Sequence, residues 1–249
     1  LTSDVSTSAG LDRFRKNVPD QYLDVGIAEQ NLIGVAAGLS SEGYEVIVTT
    51  FAPFMTMRCL EQIKVNLGYM KIKVVLVGLA SGLVLGPLGY THCCIEDLSI
   101  MRSIPNIIVC CPADTLETIK CLEATETAKE SVYIRLTGSA NSSPVYKKDY
   151  NFEFGKSVCL SEYGDDIHIY ATGSIIAEAL LVADKLKNNN IKCSVFNMHT
   201  IKPIDRLQIE KSLKKTKLIV TIEEHSLIGG LKSSISEIVS ESAHHTRVM

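Results

Sequence analysis

The chain has 249 residues, with 25 Lys and Arg against 28 Asp and Glu, for a formal net charge of −3. That balance, broken by short clusters such as Lys147-Lys148 and Lys214-Lys215, argues against nucleic acid or an anionic membrane as the main partner. No apolar run reaches the roughly 18 residues of a membrane span, and the length suffices for one large core or two modest ones.

In chain order, the first clear signal follows Asp24-Val25-Gly26-Ile27. Ala28, Leu32, Val35, Ala36 and Leu39 recur at helical spacing and predict a helix. One carboxylate, Glu29, falls in its first turn, where the helix dipole favours an acid. Taken alone, such a residue is ordinarily a solvated first-turn acid. Gly34 and Gly38 leave a bare strip on the same helix, open to close backbone approach. Strands are predicted at Tyr44–Thr50, Ile72–Val77, Ile107–Cys110 and Val132–Leu136, with helices at Phe54–Asn66 and Asp114–Ala128. Asp114 and Glu117 outline a capping box. This alternation predicts an α/β fold with a mostly parallel sheet covered on both faces.

Gly138 to Tyr150, rich in Gly, Ser, Asn and Pro, reads as a linker, with its core at residues 141–150. A second α/β unit follows over residues 151–249. Its predicted strands are Ile167–Tyr170, Cys193–Phe196 and Leu218–Thr221, and its helices Ile175–Lys187, Ile204–Leu213 and Leu227–Ser240. Thr172-Gly173-Ser174 reads as a strand-to-helix connection, although such a turn can bind anions in isolation. With three strands before Arg247-Val248-Met249, a C-terminal piece of this unit is expected to be absent. The chain opens on Leu1 rather than Met, so its natural start is expected upstream.

Cys110, Cys111, Cys159 and Cys193 sit among Ile and Val, a common setting for buried thiols. Reduced thiols and a cytoplasmic location are the simpler expectation. His92-Cys93-Cys94 lacks the paired C-x-x-C spacing of zinc sites, and no metal ligand is assigned to this chain.

The string Gly26-Ile27-Ala28-Glu29-Gln30-Asn31 resembles the thiamine-diphosphate enzymes of the transketolase type. The resemblance continues in family order over nearly the whole chain. It takes in Thr2-Ser3-Asp4, Ser8 to Phe14, Thr50-Phe51-Ala52-Pro53-Phe54 and Gly89-Tyr90-Thr91-His92 with Glu96-Asp97-Leu98. Arg102 to Asn106, Cys111 to Asp114 and Tyr133-Ile134-Arg135-Leu136 follow, then His199 to Asp205 and Glu223 to Leu231. The implied fold is a pyrimidine-binding domain over residues 1–140 and a transketolase C-terminal domain over residues 151–249, the latter incomplete.

The resemblance also implies roles. Thiamine diphosphate needs a carboxylic acid at N1′ of its pyrimidine ring, and Glu29 matches that acid. Phe51, Phe54 and Met57 match the ring's wall, with Met57 standing where the family often has a third aromatic. His92 matches a histidine that reaches substrate oxygens, where it can steady negative charge or move a proton. Arg135 and Ser8 match sugar-phosphate contacts. By their own chemistry, the phenylalanines could equally be core, the histidine structural, and the arginine part of an ion pair. Leu88 replaces an aspartate that contacts a sugar hydroxyl, and Ala80 a phosphate-binding histidine. The sugar and its phosphorylation are therefore left undetermined.

The family holds the diphosphate and its divalent cation, Mg2+ or Ca2+, with a Gly-Asp-Gly segment followed by asparagine ligands. Oxygen ligands suit such a hard cation. Gly164-Asp165-Asp166 with Asn188-Asn189-Asn190 imitates this but lacks the second glycine and leads straight into a predicted strand. The diphosphate-binding domain is therefore expected on a separate N-terminal partner subunit, in a heterotetramer. The expected function is the smaller subunit of a split transketolase, moving a two-carbon ketol unit from a ketose or ketose phosphate to an aldehyde. The alternatives are the β subunit of a 2-oxo acid dehydrogenase, against which the Tyr90-Thr91-His92 and Glu96-Asp97 loop argues, and a deoxyxylulose-phosphate-synthase-like enzyme, normally one long chain. From another class, a non-catalytic subunit that kept the fold would account for Leu88 and Met57.

Overall fold

In the computed structural model, which describes residues 1–137, 143–244 and 246–249, the β-branched runs become strands and the periodic stretches between them become helices. Chain contacts group Leu1–Ile108 with Thr127–Gly138 as a first unit, and Val109–Glu126 with Ser139–Met249 as a second.

The first unit runs through α1 (Asp12–Asn17), α2 (Glu29–Ser41), β1 (Ile47–Phe51), α3 (Ala52–Thr56), α4 (Leu60–Ile63), β2 (Val75–Leu79) and α5 (Asp97–Ser103). It takes in the first residues of β3 (Ile107–Cys110) and, later in the chain, β4 (Ser131–Arg135). β2 lies between β1 and β4 and is parallel to both, with Val75 opposite Ile47 and Val132. Val48, Leu76, Val132 and Ile134 are fully buried, the pattern of parallel strands closed to water. α2 buries Leu32, Ile33, Ala36 and Ala37, so its inward face is turned from the predicted stripe. Gly34 and Gly38 are exposed, and a Cβ built on either meets nothing within 4 Å. No described part of this chain uses that strip.

The single helix predicted for Phe54–Asn66 is broken into α3, α4 and a π-helical turn, Lys64–Tyr69. Side-chain donors take main-chain acceptors here: the Thr56 hydroxyl donates to the Ala52 carbonyl at 2.8 Å and the Cys59 thiol to the Phe54 carbonyl at 3.2 Å. Such bonds compete with the regular helix ladder and bend it. Met57 and Arg58 are left between the two helical pieces, both exposed.

The second unit carries α6 (Thr115–Thr125), β5 (Val158–Glu162), β6 (Ile167–Ala171), α7 (Ile176–Asn188), β7 (Cys193–Asn197) and β8 (Thr200–Lys202). α8 (Arg206–Leu213), β9 (Leu218–Ile222), α9 (Leu231–Glu241) and β10 (Arg247–Val248) complete it. The sheet order is β10-β9-β6-β7-β5, all parallel except β5, which runs antiparallel to β7. Five strands stand where three are predicted. β5 is a half-exposed edge and β10 has two residues, so neither imposes a periodic pattern. β8 pairs antiparallel with the end of β3, Val109 opposite Lys202. The core gathers Ala113, Ile169, Ala171, Ile176, Ala179 and Val195. At the carboxyl end of β9, Glu223 accepts from the N–H groups of Leu231 and Lys232 at 2.6 and 2.9 Å, so its carboxylate caps α9. Gly230 permits this, since a Cβ there would crowd Glu223.

α6 groups with the second unit, although in chain order it falls within the expected first domain. Asp114 caps it through the Glu117 N–H at 3.0 Å, as the capping box predicts. The return arm differs: the Glu117 carboxylate accepts from the Ala113 N–H at 2.6 Å. It also takes Tyr146 Oη, Tyr150 Oη and Asn197 Nδ2, at 3.1, 2.5 and 2.9 Å. Burial pushes the Glu117 carboxyl above its usual range, partly opposed by these donors. Of the expected linker, residues 138–142 lie outside the described residues. Val145 and Tyr146 donate their N–H groups to Asp114 and are tied to α6. Of the four cysteines expected among buried apolar residues, Cys110, Cys111 and Cys193 are buried and Cys159 is exposed on the β5 edge.

Two consequences are measurable. A Cβ on Gly78 would meet Tyr133 Oη at 2.5 Å and ring carbons at 2.8 and 3.0 Å. Gly78→Ala is therefore expected to cost about 1–3 kcal/mol, read as a lower urea midpoint. His199 is buried against Phe152, ring centroids 4.4 Å apart, and burial pushes its pKa down to about 4. The unfolded chain protonates this histidine near pH 6.5 while the folded chain resists. Its contribution is whole above that pH and is lost as pH falls toward about 4, on the order of 3 kcal/mol in all. Urea midpoints taken down this range should fall, and His199→Asn should flatten the fall.

Candidate active site

The turn before α2 sets the position of its first side chain. Asp24 Oδ1 accepts from the N–H groups of Asp4 and Gly26, both at 2.9 Å, and Gly26 adopts φ +72°. Thr2, fully buried, bridges to both Asp24 and Thr49, tying this turn to β1. Glu29 then opens α2 with 5% of its surface exposed, which overrides the solvated reading of a first-turn acid.

Its carboxylate Oε2 lies 2.8 Å from Arg58 Nη1. The Arg58 guanidinium sits 4.0 Å over the centre of the Phe54 ring, and its carbonyl accepts from Gln30 Nε2 at 3.0 Å. Phe54 meets His92 edge-on with ring centres 5.4 Å apart, and Phe51 at 6.1 Å. Phe51 and His92 are 6.4 Å apart, so the three rings form one half-buried cluster. Thr91 Oγ1 lies 3.0 Å from His92 Nδ1. A cavity of about 390 Å³ is lined by Ile27, Ala28, Glu29, Gln30, Asn31 and Arg58.

These groups come from the N-terminus of α2, the carboxyl end of β1, α3 and the loop after β2. Ligand crevices in open parallel sheets lie at the carboxyl ends of strands. The loop after β2 begins at Ala80, whose φ of +51° is uncommon for a residue with a Cβ. It is closed at its base by the pair Gly82 and Cys94, bonded both ways at 2.7 and 2.9 Å. A buried carboxylate beside aromatic edges suits a flat heteroaromatic ring with a nitrogen to hydrogen-bond, which an aminopyrimidine is. Burial pushes the thiols of Cys59 and Cys94 up to about 12, so neither supplies a thiolate.

Four predicted site residues, Glu29, Phe51, Phe54 and His92, are thus brought together, directly or through Arg58. Met57 lies exposed at the end of α3, and Ser8 is exposed on a turn closed by the Leu11 N–H and the Ser6 carbonyl. Arg135 is a correction. It is 3% exposed, with Nε 2.8 Å from Asp97 Oδ2 and Nη2 3.3 Å from the Cys94 carbonyl. Buried on these partners, its guanidinium does not face a sugar phosphate. Arg58 and Asp97 were not assigned roles from sequence. Arg58 lies in a stretch predicted as continuous helix, and the break that aims it leaves no compositional trace. Asp165 pairs with His168 at 2.9 Å and Asp166 accepts from the Lys192 N–H at 2.9 Å. Among the described residues, no three His, Cys, Asp or Glu side chains group to hold a metal ion.

Family models place this geometry among known proteins. The model described as "Transketolase, pyrimidine binding domain" matches residues 1–141, and "Transketolase, C-terminal domain" matches residues 155–248. One of the two subunits of an apulose-4-phosphate transketolase from Phocaeicola vulgatus is 35% identical over 100% of this chain and 80% of its own length. A 6-deoxy-6-sulfo-D-fructose transketolase subunit from Clostridium sp. (strain MSTE9) is 36% identical over 97% of this chain and 74% of its own. A solved structure described as a split gene transketolase, inactive beta4 tetramer, superposes with a TM-score of 0.91 at 37% identity. It covers 100% of this chain and 81% of that one.

Because Arg135 and Asp97 are both buried, removing one strands the other. Arg135→Met is expected to cost about 3–5 kcal/mol, measured by urea unfolding, and a loss below about 1 kcal/mol would contradict its placement.

Proposed function

The chain belongs to the transketolase family, and from that premise we propose that it is the C-terminal subunit of a split transketolase. In this reading it transfers a two-carbon ketol unit from a ketose or ketose phosphate to an aldehyde, with thiamine diphosphate lying between it and a diphosphate-binding partner. The observation that carries the reading is the buried Glu29 carboxylate at the head of α2, lining a cavity and joined through Arg58 to the Phe54, His92 and Phe51 rings.

When bound, thiamine diphosphate supplies a carbon nucleophile able to break the bond beside a ketose carbonyl. Glu29 holds the pyrimidine nitrogen and shares a proton with it. Phe51 and Phe54 present aromatic edges to the ring and keep water from it. His92, half-buried against both, steadies negative charge on substrate oxygens or moves a proton at them. Arg135 acts one layer back, by fixing the strand end and the Cys94 carbonyl at the base of the loop that carries His92. The diphosphate and its Mg2+ or Ca2+ belong to the partner in this reading, and two copies of each chain make a heterotetramer.

The relatives' names give them apulose 4-phosphate and 6-deoxy-6-sulfo-D-fructose. For this chain the reading stays at a ketose donor, because the burial of Arg135 removes a phosphate contact that the family pattern offered.

Calorimetric titration with thiamine diphosphate should show weak binding to the chain alone and tight binding once the partner is added. Tight binding by the isolated chain would refute a divided site. Glu29→Gln should assemble normally and lose at least about 100-fold in turnover; near-normal turnover would remove Glu29 from the mechanism.

A further inference from the structure

Arg58 touches two groups that the proposed cofactor site needs. Its Nη1 holds one oxygen of the Glu29 carboxylate in a charge-assisted bond at 2.8 Å. Its guanidinium plane covers one face of Phe54 at 4.0 Å. It also lines the same cavity as Glu29. The acid side chain is 6% exposed and the arginine side chain 43%, so the cation reaches in from the solvent edge and has room to return there. A buried carboxylate is costly unless it is paired, and a chain without its cofactor has the same buried acid to compensate. Arg58 supplies that compensation. The helix break after α3, with the Gln30 amide on the Arg58 carbonyl at 3.0 Å, aims it there.

We propose that Arg58 is a displaceable counter-ion that occupies Glu29 and the Phe54 face in the free chain and swings out when an aminopyrimidine ring takes both places. This deepens, and rests on, the reading of Glu29 as the ring-binding acid. Ring binding replaces the guanidinium bond, so the arginine sets a threshold on cofactor affinity. A half-exposed pair is weak, which makes the threshold small and the exchange reversible.

The test is calorimetric titration of thiamine diphosphate, with Mg2+, into the chain assembled with its diphosphate-binding partner. Arg58→Met should bind about three- to tenfold tighter than wild type. Arg58→Lys keeps the charge and should stay within about twofold of wild type. On a Glu29→Gln background, Arg58→Met should change nothing, because the charged acceptor it vacates is gone. The free Arg58→Met chain should melt slightly lower while the assembled one binds the cofactor more tightly; an arginine that is merely structural would lower both. Unchanged or weaker binding by Arg58→Met, or a Lys variant as tight as the Met variant, overturns the proposal. If Glu29→Gln alone leaves binding unaltered, the ring-binding role of Glu29 has failed first, and that outcome is distinct from failure of the counter-ion role.

Discussion

One carboxylate oxygen, Asp97 Oδ2, organises the first unit from inside. Tyr133 Oη and Arg135 Nε converge on it, both at 2.8 Å and both fully or nearly fully buried. Tyr133 lies over Gly78 on the neighbouring strand, and Arg135 extends to the Cys94 carbonyl. Cys94 closes the loop that bears His92 by pairing with Gly82. The placement of His92 beside Phe51 and Phe54 is thus the far end of a buried polar network anchored on α5. Such networks are stable when every member is satisfied and fail when one is removed. Asp97, Tyr133 and Arg135 touch no reacting group, yet the loop depends on them.

The two charged pairs of this unit contrast. Asp97 and Arg135 are both buried and act as structure. Glu29 is buried but its partner stands in water, so that pair can open. The same residue types, Arg with a carboxylate, serve rigidity in one place and exchange in the other, and exposure of the arginine decides which.

Much of this was legible in the chain. Ile107–Cys110 and the strands around Ile134, Ile169, Val195 and Ile219 are β-branched and buried, so burial itself writes their pattern. Glu29, Phe51, Phe54 and His92 fall within contiguous strings that a family resemblance can carry residue by residue. Illegible features depend on long-range partners. Arg135 sits where a phosphate contact is plausible, and only the convergence of Asp97, 38 residues away, reveals it as internal. α6 looks like a helix of the first domain until Tyr146, Tyr150 and Asn197 are seen to close on Glu117. β5 and β10 are edges with little apolar surface to bury, so they leave almost no periodic signal.

The cap on α9 bears on what the second unit can be. A parallel sheet ordered about β6 places a crossover beside the start of a helix, the spot at which comparable folds present bare amides to phosphates. Here the amides of Leu231 and Lys232 are already taken by Glu223 from the preceding strand end, and Gly230 makes room for it. The molecule has stoppered its own nucleotide-style socket with an internal anion. A roaming metabolite phosphate would find negative charge there instead of a welcome, which leaves this half of the chain an architectural element, inert toward the small anions that surround it.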